Sequence, residues 1–204
     1  KYTWIPIGAN TENNTAYNFQ GTFDGQGYSI KGLYFCDKSA TYTSWRVGLF
    51  GSTQNATIRD VRILNSTIQG GAFVGAFVGH AENTNFADLY TDTIVKAIHS
   101  QGHAGEAGGI VGKLTTGKID NCWNAGDVTS GTYGHLGGIL GVASGTEIVM
   151  SNCLNTGDVT GSGMRIGGFL GCIAENSKCI VKLRESLNLG NVSRTDSDKN
   201  VGSA

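Results

Sequence analysis

The sequence holds one proline in 204 residues, no run of basic residues and no apolar stretch approaching membrane-spanning length. Each shortage excludes something. With 32 glycines but no G-x-y period, a collagen-like triple helix is ruled out. A formal net charge of −1 without a basic run removes the electrostatic footprint of a nucleic-acid or anionic-membrane binder. A bilayer-crossing helix needs about 20 consecutive apolar residues, and none of the runs comes near that. Cysteine is sparse and unpatterned: Cys36, Cys122, Cys153, Cys172 and Cys179 include no C-x₂-C pair, so a zinc site has no support. Their odd number leaves at least one thiol unpaired within a single chain, and buried free thiols are the expectation. Helix caps and a sustained 3.6-residue period are missing as well. What is present is 39% hydrophobic residues spread along the chain, enough for a core and too many for bulk disorder.

Those hydrophobic residues recur in one short phrase. Gly48-Leu49-Phe50-Gly51 is followed by Ala76-Phe77-Val78-Gly79, Gly109-Ile110-Val111-Gly112, Gly138-Ile139-Leu140-Gly141 and Gly168-Phe169-Leu170-Gly171. The closing glycines are 28, 33, 29 and 30 residues apart. Between the anchors runs a second phrase. Asn121-Cys122-Trp123-Asn124-Ala125-Gly126-Asp127-Val128 matches Asn152-Cys153-Leu154-Asn155-Thr156-Gly157-Asp158-Val159, with a worn copy at Glu185-Ser186-Leu187-Asn188-Leu189-Gly190-Asn191-Val192. Each unit holds short apolar or β-branched runs punctuated by Gly, Asn, Asp, Ser and Thr, the pattern of strands and turns.

A unit of this size spans one coil with two or three short strands, and such a coil cannot bury its apolar face alone. Stacking copies about 4.8 Å apart pairs each strand with its counterparts above and below. The expected fold is therefore all-β: a right-handed parallel β-helix, or β-solenoid, of about five to six coils of 28–33 residues, its hand set by the crossover rule. Residues 1–35 would open and cap the stack and 36–204 would form the coils, as one domain. The start at Lys1 without Met, and the repeat-like Asn200-Val201-Gly202-Ser203-Ala204, suggest a segment of a longer protein.

Alignment proposes columns. Ile58, Phe86, Ile119, Met150 and Leu183 form one, and Val61, Leu89, Cys122, Cys153 and Ser186 form another three positions on. An odd separation cannot keep both on one face of a straight strand. A corner is therefore expected between them, at Asp60, Asp88, Asn121, Asn152 and Glu185, mostly residue types that tolerate left-handed backbone. Each anchor poses a similar problem, because its two adjacent apolar residues would face opposite ways on a regular strand. Either the glycines turn the chain so that both point inward, or Phe50, Val78, Val111, Leu140 and Leu170 form an outward apolar row available for binding or assembly. The buried reading is the expected one, since soluble monomers rarely expose such patches.

These anchors and inserts resemble the GLUG repeats of bacterial surface proteins, including adhesins and the non-catalytic stretches of immunoglobulin-A peptidases. The opening segment, Trp4-Ile5-Pro6-Ile7-Gly8 and then Phe19-Gln20-Gly21-Thr22-Phe23-Asp24-Gly25-Gln26-Gly27, resembles the start of such arrays. The resemblance implies an exported, cell-surface solenoid and brings no shared catalytic residues or ligand. Anchor glycines on this reading are Gly48, Gly51, Gly79, Gly109, Gly112, Gly138, Gly141, Gly168 and Gly171. Ala76 departs from the pattern, which implies different packing in the second repeat.

Parallel β-helices also host polysaccharide-degrading enzymes, and Gly21-Thr22-Phe23-Asp24-Gly25 resembles a stretch of the polygalacturonases. That family further requires an Asn-Thr-Asp, an adjacent Asp pair and a Gly-His-Gly, none of which occurs here. Glycoside hydrolysis needs two carboxyls about one bond, so Asp24 reads as a turn residue. Asp127 and Asp158 would stack one coil apart, but calcium takes about six to eight oxygens, so solvated turns are the better reading. His99 and His103 lie among glycines rather than on a helix; His80 and His135 stand alone. No Ser-His-Asp signature, nucleophile elbow or phosphate loop is present.

The sequence thus points to a non-catalytic adhesin-like or spacer module, extracellular or at the cell surface, covalently part of a larger chain and without catalytic residue, metal or cofactor. The alternative is a carbohydrate-active β-helix enzyme, with its site near Asp88 to His103, or a carbohydrate-binding module. Exposed rings at Trp45, Trp123 and Tyr133 are the binding candidates, for a host glycan or protein ligand that the residues do not name.

Overall fold

A computed structural model describes residues 3–8, 17–37, 46–98, 105–131, 134–162 and 165–195. They form an all-β parallel solenoid of about five turns, with no α-helix among the described residues. An opening coil holds β1 (Phe19–Asp24), β2 (Ser29–Lys31) and β3 (Tyr34–Cys36). The first repeat coil comprises β4 (Arg46–Val47), β5 (Phe50–Leu64) and β6 (Thr67–Gly70); the second, β7 (Phe73–Gly75), β8 (Val78–Thr91) and β9 (Ile94–Ala97). The third has β10 (Gly105–Gly108), β11 (Val111–Asn124) and β12 (Val128–Ser130). The fourth contains β13 (Gly134–Gly137), β14 (Leu140–Ser151), β15 (Leu154–Asn155) and β16 (Val159–Gly161). The fifth runs through β17 (Arg165–Gly167), β18 (Leu170–Ile173), β19 (Ile180–Arg184), β20 (Leu187–Asn188) and β21 (Val192–Arg194).

Every strand pairs in parallel with its counterpart in the next coil, giving three sheets. The broad sheet is built on β1-β5-β8-β11-β14-β18, a five-stranded sheet on β4-β7-β10-β13-β17 and a six-stranded sheet on β3-β6-β9-β12-β16-β21. The expected columns are found in register: Ile58, Phe86, Ile119, Met150 and Leu183 are paired coil to coil, with Phe23 of the opening coil beneath Ile58. Asp60, Asp88, Asn121, Asn152 and Glu185 all adopt φ between 47° and 56°. This left-handed residue turns the chain so that side chains three positions apart both enter the core. Val61, Leu89, Cys122 and Cys153 are buried accordingly. A second kink, at Asn55, Asn83 and Thr116, also has positive φ and was not legible in the repeat alignment.

The anchor glycines form the corner between the five-stranded and broad sheets. In the first coil β4 ends at Val47, Gly48-Leu49 bend, and Phe50 opens β5. Both apolar residues point into the core, and Phe50, Val78, Val111 and Leu140 are each 0% exposed. The outward row is therefore excluded for these four. In the fifth coil Phe169 and Leu170 are only partly buried. The second glycine is needed for close approach of backbones: a Cβ on Gly112 would lie 2.6 Å from the Val74 amide nitrogen.

Inside the solenoid runs a polar file that the repeat alignment did not read as buried. Asn124 Nδ2 donates to Asn155 Oδ1 at 2.9 Å, and Asn155 Nδ2 to Asn188 Oδ1 at 2.8 Å. Each amide also donates to the carbonyl two residues on, at Gly126, Gly157 and Gly190. Asn124 and Asn155 are wholly buried. A buried amide is tolerated only when so satisfied, and here the chain of amides locks register between coils.

Ala76 fits this arrangement. In the third to fifth coils the first anchor glycine faces an asparagine: Cβ atoms on Gly109, Gly138 and Gly168 would lie 2.3, 2.3 and 2.5 Å from Cγ of Asn124, Asn155 and Asn188. In the second coil the register of Asn124 is held by the smaller Thr91. Ala76 and Thr91 replace Gly and Asn together, and the coil stays in register. Different packing of the second repeat is thus a matter of side-chain size, with the stack itself unchanged.

All five cysteines are free, four of them buried. Cys122 Sγ donates to the Asp120 carbonyl and Cys153 Sγ to that of Ser151, both at 3.2 Å. Burial pushes both thiols above their ordinary pKa. No helix of the described residues is long and apolar enough to cross a membrane.

Candidate functional site

Two outward surfaces bring chemistry-bearing side chains together. The first lies on the broad sheet just past the left-handed corner. Register places Arg62, Tyr90, Trp123, Leu154 and Leu187 in one file along the solenoid axis. Trp123 alternates with the inward Cys122 and Asn124 and is 42% exposed. Its indole packs edge-on against Tyr90, with centroids 4.9 Å apart and planes at 79°, and its Nε1 donates to Thr156 Oγ1 at 3.0 Å. The ring is thus held while part of it remains open to solvent. Of the other two aromatic candidates, Trp45 and Tyr133 fall outside the described residues, as do His99 and His103.

Beside this file, the corner residues tie coil to coil. Asn121 Nδ2 donates to Asp88 Oδ1 at 2.6 Å, and Asn152 Nδ2 to Asp120 Oδ1 at 2.9 Å. On the far side Asp92 Oδ1 accepts the Asn65 amide at 2.6 Å. The carboxylates near the proposed enzymatic site, Asp88 and Asp92, are therefore engaged in holding turns. Asp24 likewise accepts the Gln26 backbone N–H at 3.0 Å and pairs with Arg59 at 2.8 Å; these two contacts, the backbone one first, hold its carboxyl below the ordinary range.

Asp127 and Asp158 are stacked, yet the geometry is that of a turn. Asp127 Oδ1 accepts the Asp158 amide at 3.0 Å, and Asp158 Oδ1 accepts the Asn191 amide at 2.9 Å. Each carboxylate caps the backbone of the following coil. Among the described residues no group of three or more His, Cys, Asp or Glu is placed to hold a metal ion.

The second surface flanks the glycine corner. Phe73, Glu106, His135 and Arg165 form a file on the five-stranded sheet, and His80, Lys113, Val142 and Cys172 form one on the broad sheet. Phe73 stacks on His80 at 5.5 Å and lies under Lys113 Nζ at 5.0 Å. Burial, then the charges of Arg46 and Lys113, lowers the His80 pKa to about 3. His135 behaves oppositely: Cys172 beside it, then Glu106, raises its pKa to about 9. Its Nδ1 lies 3.8 Å from Glu106 Oε1, beyond hydrogen-bond length, and neither ring nitrogen has a hydrogen-bond partner. Cys172, His135 and Glu106 are thus neighbours, but they do not form a hydrogen-bonded relay for nucleophilic catalysis. This cluster carries no local motif, because Glu106 and His135 stand 29 residues apart, His135 and Cys172 stand 37 apart, and they meet only through stacking.

No family model matches the chain, so the GLUG resemblance rests on the motif residues alone. A stretch of 80 residues, 38% of this chain, is 35% identical to halomucin from Haloquadratum walsbyi, and the match spans 1% of that protein's length. Among solved structures, a chain from Bacteroides ovatus provisionally described as an immunoglobulin A1 protease aligns with 98% of this chain and 70% of its own, at 19% identity and a TM-score of 0.49.

Proposed function

We propose that this chain is a non-catalytic scaffold module, a stiff solenoid segment of a longer exported polypeptide that serves as spacer or display surface outside the cell. The observation that carries the reading is the unbroken lateral pairing from the opening coil to the fifth, reinforced inside by the asparagine file. In such a stack each coil contacts only its neighbours, so added coils lengthen the module without altering its ends. The halomucin match supports the setting: a segment similar to this one forms a small part of a very long protein. The side chains at the surface are used in the same sense, with Asp88, Asp92, Asp127 and Asp158 each joining one coil to another.

The test is incubation with a panel of plant and host polysaccharides, followed by product sizing. No depolymerisation is expected. Depolymerisation abolished by Asp88→Asn or Asp92→Asn would overturn the scaffold reading in favour of a carbohydrate-active β-helix. For the setting, protease digestion of intact cells expressing the natural full-length protein should cleave this segment; protection until the cells are lysed would contradict an external location.

A further inference from the structure

We infer that the outward file Arg62, Tyr90, Trp123, Leu154 and Leu187 is a binding track for a linear, uncharged polysaccharide lying parallel to the solenoid axis. The inference is independent of the scaffold reading, which stands if the track binds nothing.

The track is built from three observations. First, its middle is apolar and open: Trp123 is 42% exposed, and the register continues it through Leu154 and Leu187 in one row. An exposed ring continued by leucines in one row forms a contiguous apolar strip, the kind of surface that marks a binding site. Second, the platform is held in place before any ligand arrives. Trp123 is fixed by the edge contact with Tyr90 and by the hydrogen bond to Thr156, so little side-chain freedom would be lost on binding. Third, the row is bordered by polar groups with capacity to spare. Asn121 and Asn152 donate their amide hydrogens along the axis, which leaves their carboxamide oxygens to accept; Asp88 uses one of its two carboxylate oxygens.

A pyranose has the matching shape, with an apolar C–H face and a rim of hydroxyls. Its face would lie on the indole and leucines, and its rim would reach the carboxamides. The parallel lay follows from the period. Equivalent side chains recur once per coil, about 4.8 Å apart, a rise similar to the length of one sugar ring, so successive sugars meet successive coils. The preference for an uncharged chain follows from the borders. The corner file beside it carries Asp60, Asp88 and Glu185, and the next file carries Asp120 with Arg59 and Arg184; with Arg62 in the track the four acids outnumber the three bases, which disfavours an anionic polymer.

Isothermal titration calorimetry with β-linked hexasaccharides of glucose, xylose and N-acetylglucosamine, and with hexagalacturonate, tests this. At least one neutral hexasaccharide is expected to bind, and more tightly than its trisaccharide, because the longer chain spans more coils. Trp123→Ala should weaken that binding by about tenfold or more. Lys182→Ala, in a different file, should leave it unchanged. Should Trp123→Ala also lower Tm, Leu187→Ser, at the exposed end of the track, takes its place. Binding by none of the neutral sugars, or binding untouched by the track variants, would overturn the site. Affinity equal for trisaccharide and hexasaccharide would overturn the axial lay, and tighter binding of hexagalacturonate than of any neutral sugar would overturn the ligand class.

Discussion

Gly109 and Asn124 meet across the interior of one coil: a Cβ on Gly109 would lie 2.3 Å from Cγ of Asn124, and 2.2 Å from the carbonyl oxygen of Gly138 in the next coil. The anchor glycine and the asparagine of the second repeated phrase are therefore parts of one device. Gly109→Ala should destabilise the chain by roughly 2–4 kcal/mol, since neither backbone nor amide can yield without breaking the file. Asn124→Thr recreates the Ala76 and Thr91 pairing of the second coil. In a double-mutant cycle measured by urea unfolding, the double variant should be less destabilised than the sum of the two single ones. Simple additivity would show that the two residues do not constrain each other.

The asparagine file itself can be probed at Asn155, which has an amide neighbour on both sides. Asn155→Ala leaves the Asn124 amide, the Asn188 carboxamide oxygen and the Gly157 carbonyl short of a partner. A loss of about 3 kcal/mol or more is expected, at about 1–3 kcal/mol for each buried group left unpaired. Asn188→Ala, at the partly exposed end of the file, should cost less. Equal and small losses at both positions would mean that water reaches the interior.

The two histidines beside the glycine corner give stability opposite pH dependences. His80 is held neutral, with its pKa lowered from 6.5 to about 3. Protonation then favours the unfolded chain, so its contribution is intact above pH 6.5 and is lost as pH falls from there toward 3. His135 is raised from 6.5 to about 9, so its contribution is fully present below pH 6.5 and is lost as pH rises through 9. His80→Phe should flatten the acid limb of a Tm–pH profile, and His135→Gln the alkaline limb. Unchanged limbs in both variants would remove these residues from the account of pH dependence.

The Asp127 and Asp158 turns should be indifferent to calcium. Asp158→Ala removes acceptors for the Asn191 amide at an exposed position and should cost no more than about 1 kcal/mol. Millimolar calcium or a chelator should leave the wild-type Tm unmoved. A rise of several degrees with calcium, lost in Asp158→Ala, would establish a cation site there.

Much of this architecture was legible because a stacked coil repeats its steric problems. The odd spacing between Ile119 and Cys122 required a bend, and Asn121 supplies it with φ of 49°. The paired apolar residues of the anchor, Ile110 and Val111, could be placed inward only by reference to their glycines, and the structure buries both. Less legible was the inward asparagine file. Asn124 stands in a turn-like phrase, where asparagine ordinarily serves the backbone, and only the stacking of three copies shows that the amides also bond one another. The kink at Asn55 and Asn83 was hidden because Thr116 and Gly145 occupy later copies, so the asparagine does not persist along the repeats. The candidate surface was half visible. Trp123 was identified by alternation with Cys122, but Tyr90, Leu154 and Leu187 join it only through register. The Cys172, His135 and Glu106 cluster, drawn from three coils, carries no local motif.

Val111→Asp, followed by thermal unfolding, tests the stacked-coil architecture most directly. Val111 is 0% exposed and belongs to the apolar row that could in principle have faced outward. A carboxylate placed there would be buried without a partner, at a cost of about 4 kcal/mol or more. For a chain of this size that corresponds to a Tm lower by about 10 °C or more. Trp123→Asp, on the outward side of the same strand, should shift Tm by only a few degrees. Near-normal melting of Val111→Asp would show that the anchor's second apolar residue faces solvent, and would contradict the fold described here.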